Sequence, residues 1–114
     1  MAFKITITEV AEKQFQSLRA RERRTLEAAI RSKLEQEPMS PTKAIKRLRP
    51  NPLAQLELRA GDLRALYNVE GDEVVILIVG RKVGNKLIVE GEEFHGHKDN
   101  PAEPPGNGSE KDAQ

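Results

Sequence analysis

Two pairs of basic residues in the second half of this 114-residue chain are suited to binding an anion. Arg59 and Arg64 flank a predicted turn, and Arg81 and Lys82 directly follow a run of apolar residues. A guanidinium can hold a phosphate through two parallel hydrogen bonds, whereas an ammonium supplies a compact positive charge. These residue types can therefore bind a phosphate-bearing ligand, but in a hairpin or at a strand end they are also ordinary solvated charges.

Amino-acid composition excludes several other kinds of site. The chain contains no cysteine, which rules out disulfides, thiolate metal sites and cysteine nucleophiles. Four aromatic residues besides histidine are too few for a platform on which single-stranded nucleic acid stacks. No apolar run approaches the ~18–20 residues of a membrane span, and the N-terminus lacks a signal peptide's apolar region. We therefore expect a cytosolic protein of one domain, with no membrane contact.

Charge is distributed unevenly along the chain. Residues 1–50 contain 12 lysines and arginines against 6 glutamates, whereas residues 51–97 contain 5 basic against 8 acidic residues. A basic first half favours an anionic partner, either nucleic acid or an acidic protein segment, although basic helices also serve solubility alone. The cations that we assign to nucleic-acid binding are Lys43, Lys46, Arg47, Arg49 and Arg59.

The N-terminal half predicts a strand followed by two helices. Residues 3–7 alternate apolar and polar, as a half-buried strand does, and Thr8 is a suitable N-cap. The first helix has apolar positions Val10, Ala11, Phe15 and Leu18. A second helical pattern starts near Arg21 or Glu22 and ends before Pro38. We expect the two helices to form an antiparallel hairpin.

The remaining chain predicts a loop and then a meander of strands. Prolines favour an extended connection over 38–52, with a short helical turn from Lys43 to Arg47. Strands are predicted at 54–59, 63–69, 74–79 and 87–89, separated by glycine-containing turns. The run 74–79 has no polar face and should be the central strand.

These elements define the expected fold class. It is α+β, with an N-terminal strand and an antiparallel helical hairpin packed on a mostly antiparallel sheet of four to five strands. The domain spans residues 1–97. Residues 98–114 contain no large apolar side chain and are predicted to be a disordered tail.

The segments 48–69 and 74–93 resemble those of the RelE/ParE superfamily of type II toxins. The similarity rests on an Arg-x-Gly-Asp-x-Arg hairpin at 59–64, followed by Tyr67. An Arg-Pro-Asn-Pro-Leu-Ala segment at 49–54 and the Gly-Asn-Lys-Leu and Gly-Glu-Glu segments at 84–87 and 91–93 resemble the RelE-like subgroup more closely. The resemblance covers residues 3–94 and implies the RelE/ParE-like fold.

The resemblance also implies a function. Toxins of this kind are neutralised by a cognate antitoxin, and RelE-like members cleave mRNA in the ribosomal A site without a metal or another cofactor. Such cleavage uses the RNA 2′-hydroxyl as nucleophile and needs a proton acceptor, a cation for the phosphorane and a proton donor. Arg64 matches the mid-hairpin arginine of the family, and Arg81 and Lys82 match its basic pair.

Two departures from the family concern the acid–base residues. Well-studied RelE enzymes carry lysines where this chain has Gln55 and Glu57, and active members place a tyrosine or histidine where it has Leu87. Glu57, His95 or His97 could serve as base instead, since an imidazole titrates near a pKa of about 6.5. The two histidines resemble a metal pair, but no third ligand lies nearby, so we predict no metal site.

Alternatives therefore remain open at this level. The missing lysines favour a ParE-like toxin that inhibits DNA gyrase, which requires no acid–base residues. A third possibility is a module that has lost catalysis and only binds its antitoxin. Arg64, Arg81 and Lys82 could also be solvated surface charges, and Tyr67 could simply pack in the core.

Overall fold

The computed structural model describes residues 2–94. The predicted tail 98–114, as well as His95 and His97, lies outside the described residues. No helix in the described part is long and apolar enough to cross a membrane. The elements in chain order are β1 (Lys4–Ile7), α1 (Glu9–Gln16), α2 (Ala20–Ala29) with a π-helical turn (Ile30–Leu34), β2 (Ile45–Arg47), β3 (Leu56–Ala60), β4 (Leu63–Glu70), β5 (Glu73–Val83), β6 (Lys86–Val89) and β7 (Glu92–Phe94).

The strands form one mixed sheet around β5, as the apolar run 74–79 predicts. The order is β2-β3-β4-β5-β6-β7, all antiparallel, and β1 pairs with β5 in parallel. This arrangement confirms the predicted fold class. The described part has seven strands rather than four to five, because β2 and β7 each add a three-residue strand at one end of the sheet.

The helices cover one face of the sheet, which we call the helix-facing side. Thr8 caps α1 as predicted, because its hydroxyl oxygen accepts a hydrogen bond of 3.1 Å from the Ala11 N–H. The predicted apolar positions of both helices are mostly buried against the sheet, but Val10 is 57% exposed and was wrongly included. The buried positions are Ala11, Leu18, Leu26, Ile30 and Leu34.

The predicted helical turn from Lys43 to Arg47 is wrong, because residues 45–47 form β2. The Thr42 hydroxyl oxygen accepts hydrogen bonds from the N–H groups of Ala44 and Ile45, at 3.1 and 3.2 Å, and turns the chain before the strand starts. Ile45 lies opposite Leu58 on β3 and is 3% exposed. Burial of this side chain and pairing with β3 outweigh the local helical pattern.

A gap in the strand pairing lies beside the middle of β5. Along β5, pairing with β1 ends at Ile76 and pairing with β6 begins at Arg81, so this edge of β5 lacks a partner strand between them. The side-chain oxygen of buried Gln14 accepts a hydrogen bond of 2.9 Å from the Val79 N–H there. A side chain from α1 thus satisfies a buried backbone donor that the sheet leaves unpaired.

Candidate nucleic-acid interface

Strand pairing places five of the seven predicted site residues that lie in strands on the side of the sheet away from the helices, which we call the outer face. Side chains directly opposite each other in a sheet share a face. Lys46, Glu57, Leu66 and Ile78 are paired across four strands. Two further rows of paired residues continue this face: Arg59, Arg64 and Gly80, and then Lys82, Leu87 and Phe94.

Arg64 lies on the outer face as the second residue of β4, beside the turn from β3. One of its guanidinium nitrogens donates hydrogen bonds to the backbone oxygens of Gly61 and Leu63, at 2.8 and 2.9 Å. Its Nε is buried and has no hydrogen-bond partner among residues 2–94. The arginine therefore retains hydrogen-bonding capacity that the described part of the chain does not satisfy.

Glu57 is the only carboxylate among the outer-face positions that pair β2 with β3 or β3 with β4. The residue is 5% exposed, and one oxygen accepts a hydrogen bond of 3.4 Å from Arg59 Nε. Lys46 lies directly opposite on β2 and is exposed. A buried carboxylate thus lies between two cations, where it can orient a guanidinium or accept a proton.

Arg81 and Lys82, which the sequence analysis groups together, lie on opposite sides of the sheet. Arg81 is on the helix-facing side and forms two hydrogen bonds with the Glu22 carboxylate on α2, at 2.6 and 2.8 Å. The hydrogen bonds from Arg81 and a further one from the Arg19 N–H lower the pKa of Glu22 below its ordinary value. Lys82 faces outward and has no ion-pair partner among residues 2–94.

The loop before β3 forms one border of the outer face. Asn51 fixes this loop: its side-chain oxygen accepts from the N–H groups of Leu53 and Ala54, and its amide donates to the oxygens of Arg49 and Ala54. Leu53 and Ala54 pack with apolar residues of the outer face. Arg49 and Lys43 are exposed in the segments flanking β2.

Besides Arg81, two residues singled out from the sequence do not lie on the outer face. Arg47 alternates with Lys46 and so lies on the helix-facing side, where its charge acts on Tyr67. Tyr67 is fully buried, donates a hydrogen bond of 2.5 Å to the Pro38 oxygen, and packs in the core as one hypothesis proposed. Burial raises the pKa of Tyr67 far above its ordinary value, so it stays protonated.

Sequence reasoning missed two features of this region. Lys46 faces Glu57 because residues 45–47 are extended, and a three-residue strand is too short to show a period-two pattern. Asn51 was not recognised, although Asn between two prolines is a frequent turn-forming signal. His95 lies outside the described residues. Within residues 2–94, no three potential ligands are close enough together to hold a metal ion.

No protein-family model and no curated protein matches the sequence. Solved structures do match. The chain is similar to a chain of the RelBE2 toxin–antitoxin complex from Mycobacterium tuberculosis, with a TM-score of 0.62, 24% identity, and coverage of 72% of this chain and 100% of that one. It is also similar to a chain of the archaeal RelE–RelB complex from Pyrococcus horikoshii, with a TM-score of 0.58, 26% identity, and coverage of 71% and 96%.

A mutant of the E. coli toxin RelE in the free state is a third similar structure. The TM-score is 0.55 at 26% identity, and the match covers 71% of this chain and 84% of that one. All three matches have the fold of RelE toxins. They confirm the predicted resemblance to these toxins and the fold that it implies.

Proposed function

We propose that this chain is the toxin of a type II toxin–antitoxin pair and that it cleaves mRNA on the ribosome, in the cytosol. The observation that carries the proposal is the outer face, which carries the cations Lys46, Arg59, Arg64 and Lys82 together with the buried Glu57. The similarity to RelE chains solved in toxin–antitoxin complexes supports the toxin assignment. A row of cations on one rigid sheet is a suitable cradle for an RNA backbone.

Arg64 and Lys82 are the cations for the reacting phosphate. In the cleavage step the 2′-hydroxyl gives its proton to the acceptor and its oxygen bonds to the neighbouring phosphorus, while the bond from phosphorus to the 5′-oxygen breaks and that oxygen takes a proton from solvent. Negative charge develops on the non-bridging oxygens during this step. Moving the Arg64 guanidinium from the Gly61 and Leu63 oxygens onto that phosphate exchanges bonds to neutral carbonyls for charge-assisted bonds. It also gives a partner to the buried Nε, whose unmade hydrogen bond costs about 1–3 kcal/mol.

Glu57 is our candidate for the proton acceptor among residues 2–94. It lies one strand from Arg64 and carries the carboxylate nearest in register to the paired arginines. Its hydrogen bond with Arg59 is long, at 3.4 Å, so the carboxylate can exchange that contact for the 2′-hydroxyl. His95 remains the alternative acceptor that the sequence suggests.

Inhibition by an antitoxin follows from the same charges. An acidic, initially disordered segment would fold across the outer face and pair its carboxylates with Arg64 and Lys82. The RNA phosphate and the antitoxin would then compete for the same cations. Reversing the charge of Arg64 should therefore weaken the complex with the antitoxin as well as cleavage.

The direct test adds purified protein to ribosomes carrying a defined mRNA, in the presence of a metal chelator. We expect cuts in the A-site codon whose upstream fragments end in a 2′,3′-cyclic phosphate, because the 2′-hydroxyl is the nucleophile. A parallel assay measures supercoiling by DNA gyrase. Intact mRNA together with inhibited gyrase would replace our proposal with the ParE-like alternative.

A second candidate function is favoured by the pairing of Glu57 with Arg59. If that pair does not open, the outer face binds RNA or the antitoxin but has no proton acceptor among residues 2–94. The protein would then be a non-catalytic binding module. Salt-dependent binding to ribosomes without any mRNA cuts is the result that identifies this case.

A further inference from the structure

The outer edge of β1 carries backbone groups that no strand of the described part pairs with. Lys4 and Thr8 donate their N–H groups to the Asp72 and Ile76 oxygens at β5, at 2.9 and 3.1 Å. Because these directions alternate along a strand, the N–H groups of Phe3, Ile5 and Ile7 point away from β5. The Phe3 N–H donates to the Glu35 oxygen at 2.7 Å, which leaves those of Ile5 and Ile7 for another chain. Among residues 2–94, no strand lies beside this edge.

A groove of about 360 Å³ runs next to this edge, between β1, α1 and the end of α2. Its floor is apolar and includes Ile5, Ile7 and Phe15, which are only partly buried against the core. An open strand edge beside an apolar groove is the arrangement that binds an added strand, since the backbone pairs and alternate side chains enter the groove.

The rim of the groove is acidic. Glu12, Glu27 and Glu35 line it together with one cation, Arg31. Arg31 pairs with Glu27 at 3.2 Å, so Glu12 and Glu35 supply the uncompensated charge of the rim within residues 2–94. This sign is opposite to that of the outer face.

The charge of the rim selects among possible occupants. A second copy of this chain would bring two acidic rims together, which like-charge repulsion disfavours. The segment 98–114 carries 4 acidic against 2 basic residues and three prolines, and proline cannot donate to a strand ladder. Neither occupant is complementary to the groove.

We propose that this edge and groove bind an extended segment of another protein, with aliphatic side chains at alternate positions flanked by lysine or arginine. The aliphatic side chains fill the groove above Ile5, Ile7 and Phe15, the backbone pairs with β1, and the basic residues meet Glu12 and Glu35. This surface lies on the helix-facing side of the molecule, so the proposal does not depend on RNA cleavage at the outer face.

The test uses the full chain and a synthetic peptide, acetyl-Lys-Val-Lys-Ile-Lys-amide, with binding followed by NMR. We expect shifts and slowed hydrogen exchange at the Ile5 and Ile7 N–H groups. A peptide with glutamates in place of the lysines should bind at least tenfold more weakly. Methylation of the peptide nitrogens that face β1 should abolish binding, because it removes the ladder donors.

Matched variants of the protein complete the test. Glu12→Lys combined with Glu35→Lys should weaken the lysine peptide at least tenfold, whereas Glu70→Lys combined with Glu92→Lys changes the same charge outside the groove and should not. Equal binding of the methylated peptide overturns the proposal. Slow hydrogen exchange at the Ile5 and Ile7 N–H groups without peptide would also overturn it. Exchange that slows further with protein concentration would mean that a second copy binds the edge, and exchange that becomes fast on truncation after Lys98 would mean that the tail does.

Discussion

The two faces of the central sheet use polar side chains in different ways. On the helix-facing side, Gln14 accepts from the Val79 N–H, Tyr67 donates to the Pro38 oxygen, and Arg81 pairs with Glu22. On the outer face, Lys46 and Lys82 have no ion-pair partner among residues 2–94, and the hydrogen bonds of the Arg64 guanidinium within that range go to backbone oxygens.

This difference separates residues that hold the fold from residues that can bind a ligand. A polar group whose hydrogen bonds are complete inside the chain has no capacity for another molecule, and removing it leaves a partner unpaired. Cations without internal carboxylate partners contribute little to stability, because exposed charges are well solvated. Substitutions on the two faces should therefore change different measurements.

The largest effect is expected for Arg64. Replacing it by alanine should lower mRNA cleavage by about 10²–10³-fold, because a preorganised donor to the developing phosphorane charge is lost. Arg64→Lys should also be impaired, since a point charge cannot reproduce the two-pronged contact. Cleavage on programmed ribosomes is the measurement, with urea unfolding to show that both variants remain folded.

Arg21 provides a control for the Arg64 variants. It is an exposed arginine on α2, away from the outer face. Arg21→Ala changes the net charge by the same amount as Arg64→Ala, so it should leave cleavage within about twofold of the unmodified protein if position rather than total charge matters. Equal losses for the two variants would remove Arg64 from the proposed site.

The second prediction concerns Gln14, on the opposite face. Gln14→Leu removes the acceptor for the buried Val79 N–H, which should lower the free energy of unfolding by about 2 kcal/mol. Gln16 is the control, because it lies on the same helix and donates only to Glu12 at the surface. Gln16→Leu should have almost no effect in urea unfolding. Similar losses for both would mean that the buried hydrogen bond is not what stabilises β5.

The fold could be predicted where the sequence pattern itself shows which side chains are buried and where an element begins or ends. Alternation in β1 and β4, the Thr8 cap and the glycine turns mark elements directly. The two-residue spacing of Glu57 and Arg59 also predicts that they share a face, as pairing with β4 shows. Short strands such as β2 and β7 have too few residues to show an alternating pattern, so the predicted number of strands was too low.

The side on which Arg81 lies could not be predicted for a different reason. All six residues at 74–79 are apolar, so the run does not show which side chains face the helices. A bulge between Leu66 and Tyr67 leaves Leu77 without an opposite residue and reverses the alternation beyond it. This reversal puts Lys82 on the outer face and turns Arg81 toward Glu22.

The third prediction uses that ion pair. Arg81→Met should lower the free energy of unfolding at pH 7 by roughly 1 kcal/mol, a modest value because both side chains are partly exposed to solvent. Cleavage should fall by no more than the decrease in the fraction of folded protein. A larger loss of cleavage in a folded variant would return Arg81 to the functional site.

The same pair predicts a pH dependence. Because Arg81 lowers the pKa of Glu22 from its ordinary value of 4.5, the pair stabilises the folded protein above that value. The contribution is lost as pH falls through the lower pKa of the folded state, where Glu22 becomes protonated. The difference in unfolding free energy between the unmodified protein and Arg81→Met should thus be constant from pH 7 to 5 and shrink below 4.5. When Glu22 is replaced by Gln in both proteins, this dependence of the difference on pH should disappear.

The smallest effect is expected from two neighbours on β2 that distinguish the faces most directly. Lys46 is on the outer face and Arg47 on the helix-facing side, yet both are exposed cations of the same short strand. If RNA lies on the outer face, Lys46→Gln should reduce the slope of log affinity against log salt by about 0.7, the value for one phosphate contact on a single strand. Arg47→Gln removes an equal charge one residue away and should leave the slope unchanged.

The measurement is binding of a short single-stranded RNA at several salt concentrations. An equal reduction with Arg47→Gln would mean that RNA wraps around the β2 edge, and the outer face would then be only part of the interface.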